Sequence, residues 1–241
     1  MSSSSIYPQR RPLGHARDDS GNAPVKPRDA STLIVWRQGI KDVEVLMGRR
    51  LRSAAFVPDF FVFPGGRVDS GDYTVSPATP FDLAAAERMD VCGDTSLARA
   101  LAVAAVRETF EETGLMLAES GDIGEVANAE WAHWKACGLA PQLDRLTYFG
   151  RAITSPISPI RFHARFFIVL ADALQGELAG SGELCELGFY PVSDVLAHMP
   201  IVDVTEFMLN RVTCYATAPL NFSLRTPVFS YKDEVPLVRY E

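Results

Sequence analysis

Three glutamates within five positions, Glu108, Glu111 and Glu112, constrain this chain more than any other feature. If residues 107–115 are helical, side chains three or four positions apart share one side, about 5–6 Å from each other. Like charges at that spacing repel, and Arg107 is placed to pair with Glu111 alone. A solvated acidic helix face is the simple alternative. We instead expect a bound dication, because Mg²⁺ is typically held by a few carboxylates, water and substrate phosphates.

The segment at residues 96–117, which carries the predicted helix, does not have the sequence of a solvated helix. A turn signal at residues 93–96 supplies N-cap candidates, and residues 100–106 are almost wholly apolar. An apolar stripe of that width is typical of a helix packed against a sheet. Gly114 is predicted to end it in the left-handed conformation. Acidic residues near a helix C-terminus oppose the helix dipole, a conflict expected at functional sites.

A second motif lies upstream, where residues 60–66 read FFVFPGG. A Pro-Gly-Gly alone predicts only a turn, because its glycines allow a sharp bend or close backbone approach. Together with the acidic helix it resembles the Nudix box: Gly, five residues, Glu, seven residues, then Arg-Glu-aliphatic-x-Glu-Glu-x-Gly-aliphatic. Six defined positions of that pattern coincide in the helix, at Arg107, Glu108, Glu111, Glu112, Gly114 and Leu115.

The match departs from the pattern in three places. Thr109 occupies a position that is usually aliphatic, and Asp72 replaces the first Glu when the count starts at Gly66. Residues 73–106 separate Asp72 from Arg107, where the pattern has seven residues. A register starting at Gly93 needs no insertion but places Arg99 at the acidic position. We favour the Gly66 register, in which Asp72 makes a structural or supporting contact.

The interrupted box resembles one Nudix subgroup that includes coenzyme A diphosphatases with a long insertion in the box. An Arg-rich segment at residues 47–52 and the strand-like segment 161–167 strengthen this likeness. A further signature of coenzyme A-linked members is absent, because Asp59 stands where it requires Gly. Coenzyme A specificity is therefore an analogy at this point.

The resemblance implies an α/β fold, the Nudix-type α/β/α sandwich with a mixed β-sheet. It also implies Mg²⁺-dependent (or Mn²⁺-dependent) hydrolysis of a diphosphate linkage in a nucleoside diphosphate-X compound, with CoA or acyl-CoA as one option. A Nudix-fold sensor that binds such a ligand without turnover is the alternative. An isomerase on the same scaffold ranks last, because none of the four cysteines has a recognisable nucleophile context.

The implied site follows from the matched positions. Glu108, Glu111 and Glu112 would hold the metal, a backbone carbonyl of Gly65 or Gly66 would assist, and Arg107 would orient Glu111. Substrate contacts are predicted for Arg50, Arg165, Gly65 and Gly66, with Arg49 and Arg161 as further candidates for the phosphates. Family members often recruit a Glu from a later loop, and either Glu183 or Glu186 fits. His163 is interpreted as a structural histidine of its strand.

Length and composition are consistent with a single enzyme domain. The 241 residues, 47% of them hydrophobic, suit one domain at 30–241, with an insertion at about 73–95 and a C-terminal extension. Residues 1–29 are predicted to be a mostly unstructured arm that packs locally or contacts a partner subunit. We expect the insertion to cover one edge of the active-site cleft, with a harmless surface excursion as the alternative.

Charge and targeting signals limit the partners. A net charge of −7 argues against nucleic acid, and no apolar run suggests a membrane span. The expected partner is a small-molecule diphosphate substrate, and a homodimer is left open. Four scattered cysteines predict a reducing compartment. No secretory h-region and no peroxisomal tripeptide are found, which favours a cytoplasmic location.

Overall fold

The computed structural model describes residues 4–8, 11–13, 23–126, 131–217 and 225–241. Within these residues twelve strands and five α-helices alternate along the chain. The strands are β1 Ser5–Ile6, β2 Arg28–Gln38, β3 Val43–Arg50, β4 Phe61–Val62, β5 Gly65–Arg67, β6 Ala118–Ser120, β7 Leu139–Pro141, β8 Thr147–Ile153, β9 Phe162–Leu170, β10 Leu184–Pro191, β11 Pro227–Lys232 and β12 Val235–Tyr240. The helices are α1 Leu83–Ala86, α2 Thr95–Thr113, α3 Ala132–Cys137, α4 Val192–His198 and α5 Asp203–Thr217.

Among the described residues, ten of the strands form one mixed sheet in the order β1-β12-β11-β8-β9-β2-β3-β10, with β5 added to β2 and β4 to β3. The β2–β9 and β11–β8 pairs are parallel and the other pairs are antiparallel. Strands β6 and β7 form a separate pair.

The alternation of side chains along β2 shows how this sheet divides the core. Leu33 and Val35 pack into a cluster with α2, whereas Ile34 and Trp36 pack into a second cluster with α4 and α5. Successive strand residues point to opposite faces, so helices cover both sides of the sheet. The predicted α/β/α sandwich with a mixed sheet is confirmed.

Helix α2 begins and ends close to the positions predicted from sequence. The Asp94 side chain accepts a hydrogen bond from the Leu97 N–H at 3.0 Å, which caps the N-terminus. Gly114 ends the helix with φ 75°. A Cβ atom there would lie 2.7 Å from the Glu177 carbonyl oxygen, so close packing as well as backbone conformation requires glycine.

The first described residues of the N-terminal arm pack locally. Ser5–Ile6 pairs with β12, and the Tyr7 ring lies 5.4 Å from that of Phe207. Arg11 forms an ion pair with Glu206 at 3.3 Å. At the other terminus, β11 and β12 continue the main sheet, so the C-terminal extension is a hairpin.

Helix α3 spans Ala132–Cys137, and residues 127–130 before it lie outside the described residues. Trp131 and Trp134 are fully buried in the cluster beneath α2. Both tryptophans are therefore core residues.

Candidate active site

The Pro-Gly-Gly segment meets the acidic end of α2 because both lie against the first half of β2. Gly66 and Gly65 pair with Ser31 and Thr32 in β2. The Gly65 N–H donates to Glu112 Oε2 at 2.9 Å. A Cβ atom at Gly66 would clash with the Glu108 carboxyl group. The glycines therefore allow carboxylates to approach the backbone closely.

Arg107 is the structural centre of the acidic helix end. Its guanidinium group is 2% exposed and pairs with both oxygens of Asp72, at 2.8 and 3.0 Å. It also donates to Glu111 at 3.2 Å and to the Arg67 carbonyl at 2.9 Å. Bidentate pairing fixes the planar guanidinium group rigidly. Arg107 thus lies behind Glu111, and Asp72 holds Arg107.

Arg107 neutralises more of the cluster than i+4 pairing predicts. Its Nη1 atom lies 3.0 Å from Glu108 Oε1 and 3.2 Å from Glu111 Oε2. Thr109, the departure from the aliphatic position, is buried and donates to the Ala105 carbonyl at 2.7 Å. The hydroxyl is satisfied within its own helix, so this substitution fits the apolar face.

Even so, two carboxyl groups remain short of positive charge. Burial raises the pKa of Glu108 to about 7, although Arg107 opposes the shift. Burial also raises the pKa of Glu112 to about 8, against the Gly65 N–H, and the neighbouring carboxylates of Glu108 and Glu183 add to the rise. An added cation would stabilise both ionised forms.

These side chains lie at one side of a cavity of about 520 Å³. Its charged lining residues come from β3, β5, the segment after β5, α2 and the loop before β10: Arg50, Arg67, Asp69, Arg107, Glu108, Glu111, Glu112 and Glu183. The Arg50 Nε atom is buried, and among the described residues it has no hydrogen-bond partner. The cavity therefore combines clustered carboxylates with the guanidinium group of Arg50.

The donor chemistry of this cluster fits a hard divalent cation. The described residues contain no group of three His, Cys, Asp or Glu side chains arranged around one point. Glu111 and Glu112 turn instead toward Arg107 and the Gly65 N–H. Magnesium commonly takes only one or two carboxylates and completes its shell with water and substrate phosphate. Under-compensated carboxylates beside an open cavity suit that mode.

Arg165, predicted to contact substrate, does not lie in this cavity. It is 1% exposed on the opposite face of β9, pairs with Asp29 at 2.5 Å and donates to the carbonyls of Met89 and Asp90 at 3.0 and 3.3 Å. Because strand residues alternate in direction, Ala164 and Phe166 line the cavity and Arg165 points away.

Arg49 and Arg161 are also held by other parts of the chain. Arg49 pairs with Asp59 at 2.9 Å and with Glu186 at 3.0 Å. Arg161 donates to the carbonyls of Thr154 and Val25. Of the predicted arginines, Arg50 is the one at the cavity.

Of the two later glutamates, Glu183 and Glu186, only one lies at the cavity. Glu183 lines the cavity and influences Glu112, whereas Glu186 pairs with Arg49. Position on the loop, rather than residue type, distinguishes them. We therefore retain Glu183 as the candidate.

The insertion forms part of the core. Val75, Phe81, Met89 and Val91 are buried in the cluster between α2 and the sheet. None of the described residues 73–95 lines the cavity. The expectation that the insertion covers the cleft is therefore wrong. Its apolar side chains pull it beneath α2, where its burial stabilises the fold.

His163 lies beside this buried region, between two arginines. Its Nε2 atom is 3.1 Å from Arg151 Nη1. Burial, together with the positive charges of Arg165 and Arg151, lowers the pKa of His163 to about 3. Arg151 in turn pairs with Asp90 and with Glu241. The structural interpretation of His163 agrees with this neutral, enclosed position.

The site also contains residues that the sequence analysis missed. Phe56 and Val57 from the β3–β4 loop, and Val204, Thr205 and Tyr231 from near the C-terminus, line the same cavity. No motif marks them, because they are distant in sequence and ordinary in type. Only their shared cavity identifies them.

Comparison with known proteins agrees with the fold. No family model matches the chain. A Nudix hydrolase structure from Alicyclobacillus acidocaldarius is 30% identical, with a TM-score of 0.63, and the match covers 83% of this chain and 98% of that one. The chain belongs to the Nudix hydrolase family.

Two curated relatives are similar over parts of their length. An acyl-coenzyme A diphosphatase of Xenopus laevis is 31% identical over 97 residues, 32% of this chain and 26% of the relative. The putative nudix hydrolase 7 of Caenorhabditis elegans is 30% identical over 156 residues, 60% of this chain and 45% of the relative. The chain thus spans less than half the length of either curated relative.

Proposed function

We propose that this protein hydrolyses a diphosphate linkage in a nucleoside diphosphate-X compound and depends on Mg²⁺ or Mn²⁺. The supporting observation is that Glu108 and Glu112 both line a large cavity, where burial raises their pKa values to about 7 and about 8. A metal ion would stabilise their ionised forms, and the adjacent Arg50 suits a diphosphate.

Glu108, Glu111 and Glu112 would hold the metal, with a carbonyl of Gly65 or Gly66. When bound, Mg²⁺ would neutralise negative charge on the diphosphate oxygens and lower the pKa of a coordinated water molecule. Arg107 keeps Glu111 and Glu108 in place through its fixed pairing with Asp72. Arg50 binds a phosphate oxygen, since its side chain lines the cavity close to Glu112. Glu183 accepts a proton or adds a ligand.

The proposed substrate class includes coenzyme A and acyl-CoA. The Xenopus laevis relative is named an acyl-coenzyme A diphosphatase, and the long insertion in the box resembles the same subgroup. Within the described residues no helix is both long and apolar enough to cross a bilayer. We further propose a cytoplasmic enzyme acting on small molecules without nucleic acid, in which a homodimer is open to test.

Hydrolysis of CoA, acyl-CoA, ADP-ribose and NADH, with and without Mg²⁺, tests the proposal. Glu112→Gln should lower kcat on the order of a thousandfold, because a catalytic metal supplies several kcal/mol of charge stabilisation. Glu125→Gln is the matched control, since it removes one carboxylate from a fully exposed side chain.

Unchanged turnover by Glu112→Gln, or by the wild type in EDTA, would contradict the assigned site. Tight binding of these compounds without any hydrolysis would instead identify a sensor.

A further inference from the structure

Charge is segregated between two sides of the cavity. All of its charged lining residues belong to the side formed by β3, β5, the segment after β5, α2 and the loop before β10. The opposite side comes from the β3–β4 loop, β8, β9, the start of α5 and β11, and every described residue that these contribute to the lining is uncharged. In the sheet, β2 separates β8, β9 and β11 from β3. The second core cluster, beneath α4 and α5, supports this opposite side.

Aromatic and branched side chains dominate that opposite side, which we call the apolar wall: Phe56, Phe162, Phe166, Val204 and Tyr231. Phe56 and Phe162 meet edge to face, with ring centroids 4.9 Å apart, and both are only half-buried. The Tyr231 hydroxyl donates to Asp203 at 2.8 Å. Two large rings thus keep solvent-exposed surface beside the cavity, where a ligand can cover it.

The loop that carries Phe56 is held in an unusual conformation. Val57 and Asp59 have φ of 49° and 67°. Positive φ is unfavourable for a β-branched residue, and such strain is found at ligand-binding segments. Arg49 holds the loop, because it pairs with the Asp59 carboxylate at 2.9 Å and donates to its carbonyl at 3.3 Å. Phe56 is therefore placed against Phe162 by the fold.

A phosphate group on the apolar wall would be poorly stabilised. The cationic lining residues Arg50, Arg67 and Arg107 all lie on the charged side. Burying an ionised group without a partner is costly, whereas covering the exposed rings with an apolar group is favourable. The wall thus favours an uncharged substituent over a phosphorylated one.

We infer that the apolar wall binds an uncharged apolar substituent of the diphosphate substrate, and that Phe56 and Phe162 determine this specificity. The inference rests on the proposed function, which places the diphosphate at the glutamates. In a compound that carries a further phosphate, such as coenzyme A, the phosphorylated sugar lies away from this wall. The substituent is then a nucleobase or a pantetheine-like chain, which are both uncharged and can both cover an aromatic ring.

Steady-state kinetics on matched substrates test this directly. Phe56→Ala and Phe162→Ala should each raise KM about tenfold with kcat little changed, since stacking on one aromatic ring is worth about that much. Phe189→Ala is the control, because Phe189 is a half-buried phenylalanine on β10 outside the cavity lining, packed under Arg37. Its KM should stay within twofold. Thermal melts of each variant verify folding.

Binding of compounds without an anhydride separates this inference from the proposed function. AMP, 4′-phosphopantetheine and adenosine 3′,5′-bisphosphate are titrated calorimetrically with Mg²⁺ into wild type, Phe56→Ala and Phe189→Ala. AMP or 4′-phosphopantetheine should bind more tightly than the bisphosphate, and the tighter one identifies the substituent. Its affinity should fall about tenfold in Phe56→Ala only.

Tighter binding of the bisphosphate, or equal affinity of all three compounds for wild type and Phe56→Ala, would overturn the inference. If diphosphates are cleaved normally in that case, the proposed function still holds. If no diphosphate is cleaved but Phe56→Ala weakens AMP or 4′-phosphopantetheine, the proposed function fails and the apolar wall remains a binding surface.

Discussion

Two buried arginines, Arg107 and Arg165, are surrounded by different balances of charge. Arg107 is contacted by Asp72, Glu108 and Glu111, with Glu112 close by, so carboxylates are in excess. Around Arg165, the three guanidinium groups of Arg165, Arg151 and Arg239 match the three carboxylates of Asp29, Asp90 and Glu241, and His163 stays neutral. Burial of charge is common to both regions. What distinguishes the candidate active site is negative charge left uncompensated beside a cavity.

The largest expected effect on stability comes from a mutation in the charge-balanced region around Arg165. Arg165→Ala should destabilise the protein by about 3 kcal/mol, because the carbonyls of Met89 and Asp90 lose their buried donor and Asp29 loses its partner. Denaturant unfolding measures this loss, and kcat of the folded protein should be unchanged.

Arg161→Ala is the matched control for that experiment, since Arg161 lies on the same stretch of chain and is less buried. Its loss of stability should be smaller. An Arg165→Ala protein that keeps its stability but loses turnover would restore Arg165 as a substrate contact.

A smaller effect, the pH dependence of stability, tests the carboxylates of the acidic region. The pKa values of Glu108 and Glu112 are raised in the folded protein to about 7 and about 8, from an unfolded value of about 4.5. Their contribution to stability is therefore fully present below pH 4.5 and is lost as the pH rises through about 7 and about 8. Metal-free protein should therefore melt at lower temperature at pH 8.5 than at pH 6. Mg²⁺ should raise the melting temperature more at pH 8.5.

Glu112→Gln should reduce this pH dependence and weaken the response to Mg²⁺, as followed by thermal melts. A wild-type melting temperature equally insensitive to Mg²⁺ at both pH values would argue against metal binding by these carboxylates.

The smallest effect has the opposite sign and comes from His163. Its folded pKa of about 3 lies below the unfolded value of about 6.5, so its stabilising contribution is present above pH 6.5 and decreases as pH falls toward 3. The slope for one such group is at most about 1.4 kcal/mol per pH unit. Unfolding of His163→Gln between pH 7 and pH 5 should show a shallower loss than wild type. Identical pH dependence of stability in wild type and His163→Gln would contradict the lowered pKa of His163 in the folded protein.

Local signals explain why the acidic helix was predictable. Apolar spacing, an N-capping residue and a C-terminal glycine act within one segment, so the helix and its shared carboxylate face follow from the sequence. The pairing of Gly65 and Gly66 with this helix followed from a family resemblance. The insertion was placed wrongly, because periodicity indicates that Phe81 and Met89 are buried but not where.

The sequence by itself determined helix α2 and the position of Glu108, Glu111 and Glu112 on it, since both depend on residues close together in the chain, whereas the α/β class followed from the family resemblance. Only the tertiary structure decided that Arg50 faces the cavity, that Arg165 does not, and that Phe56, Phe162 and Tyr231 form a common wall. The physical reason is that strand register and sheet order set which distant side chains meet. A shift by one residue reverses the face on which each side chain lies.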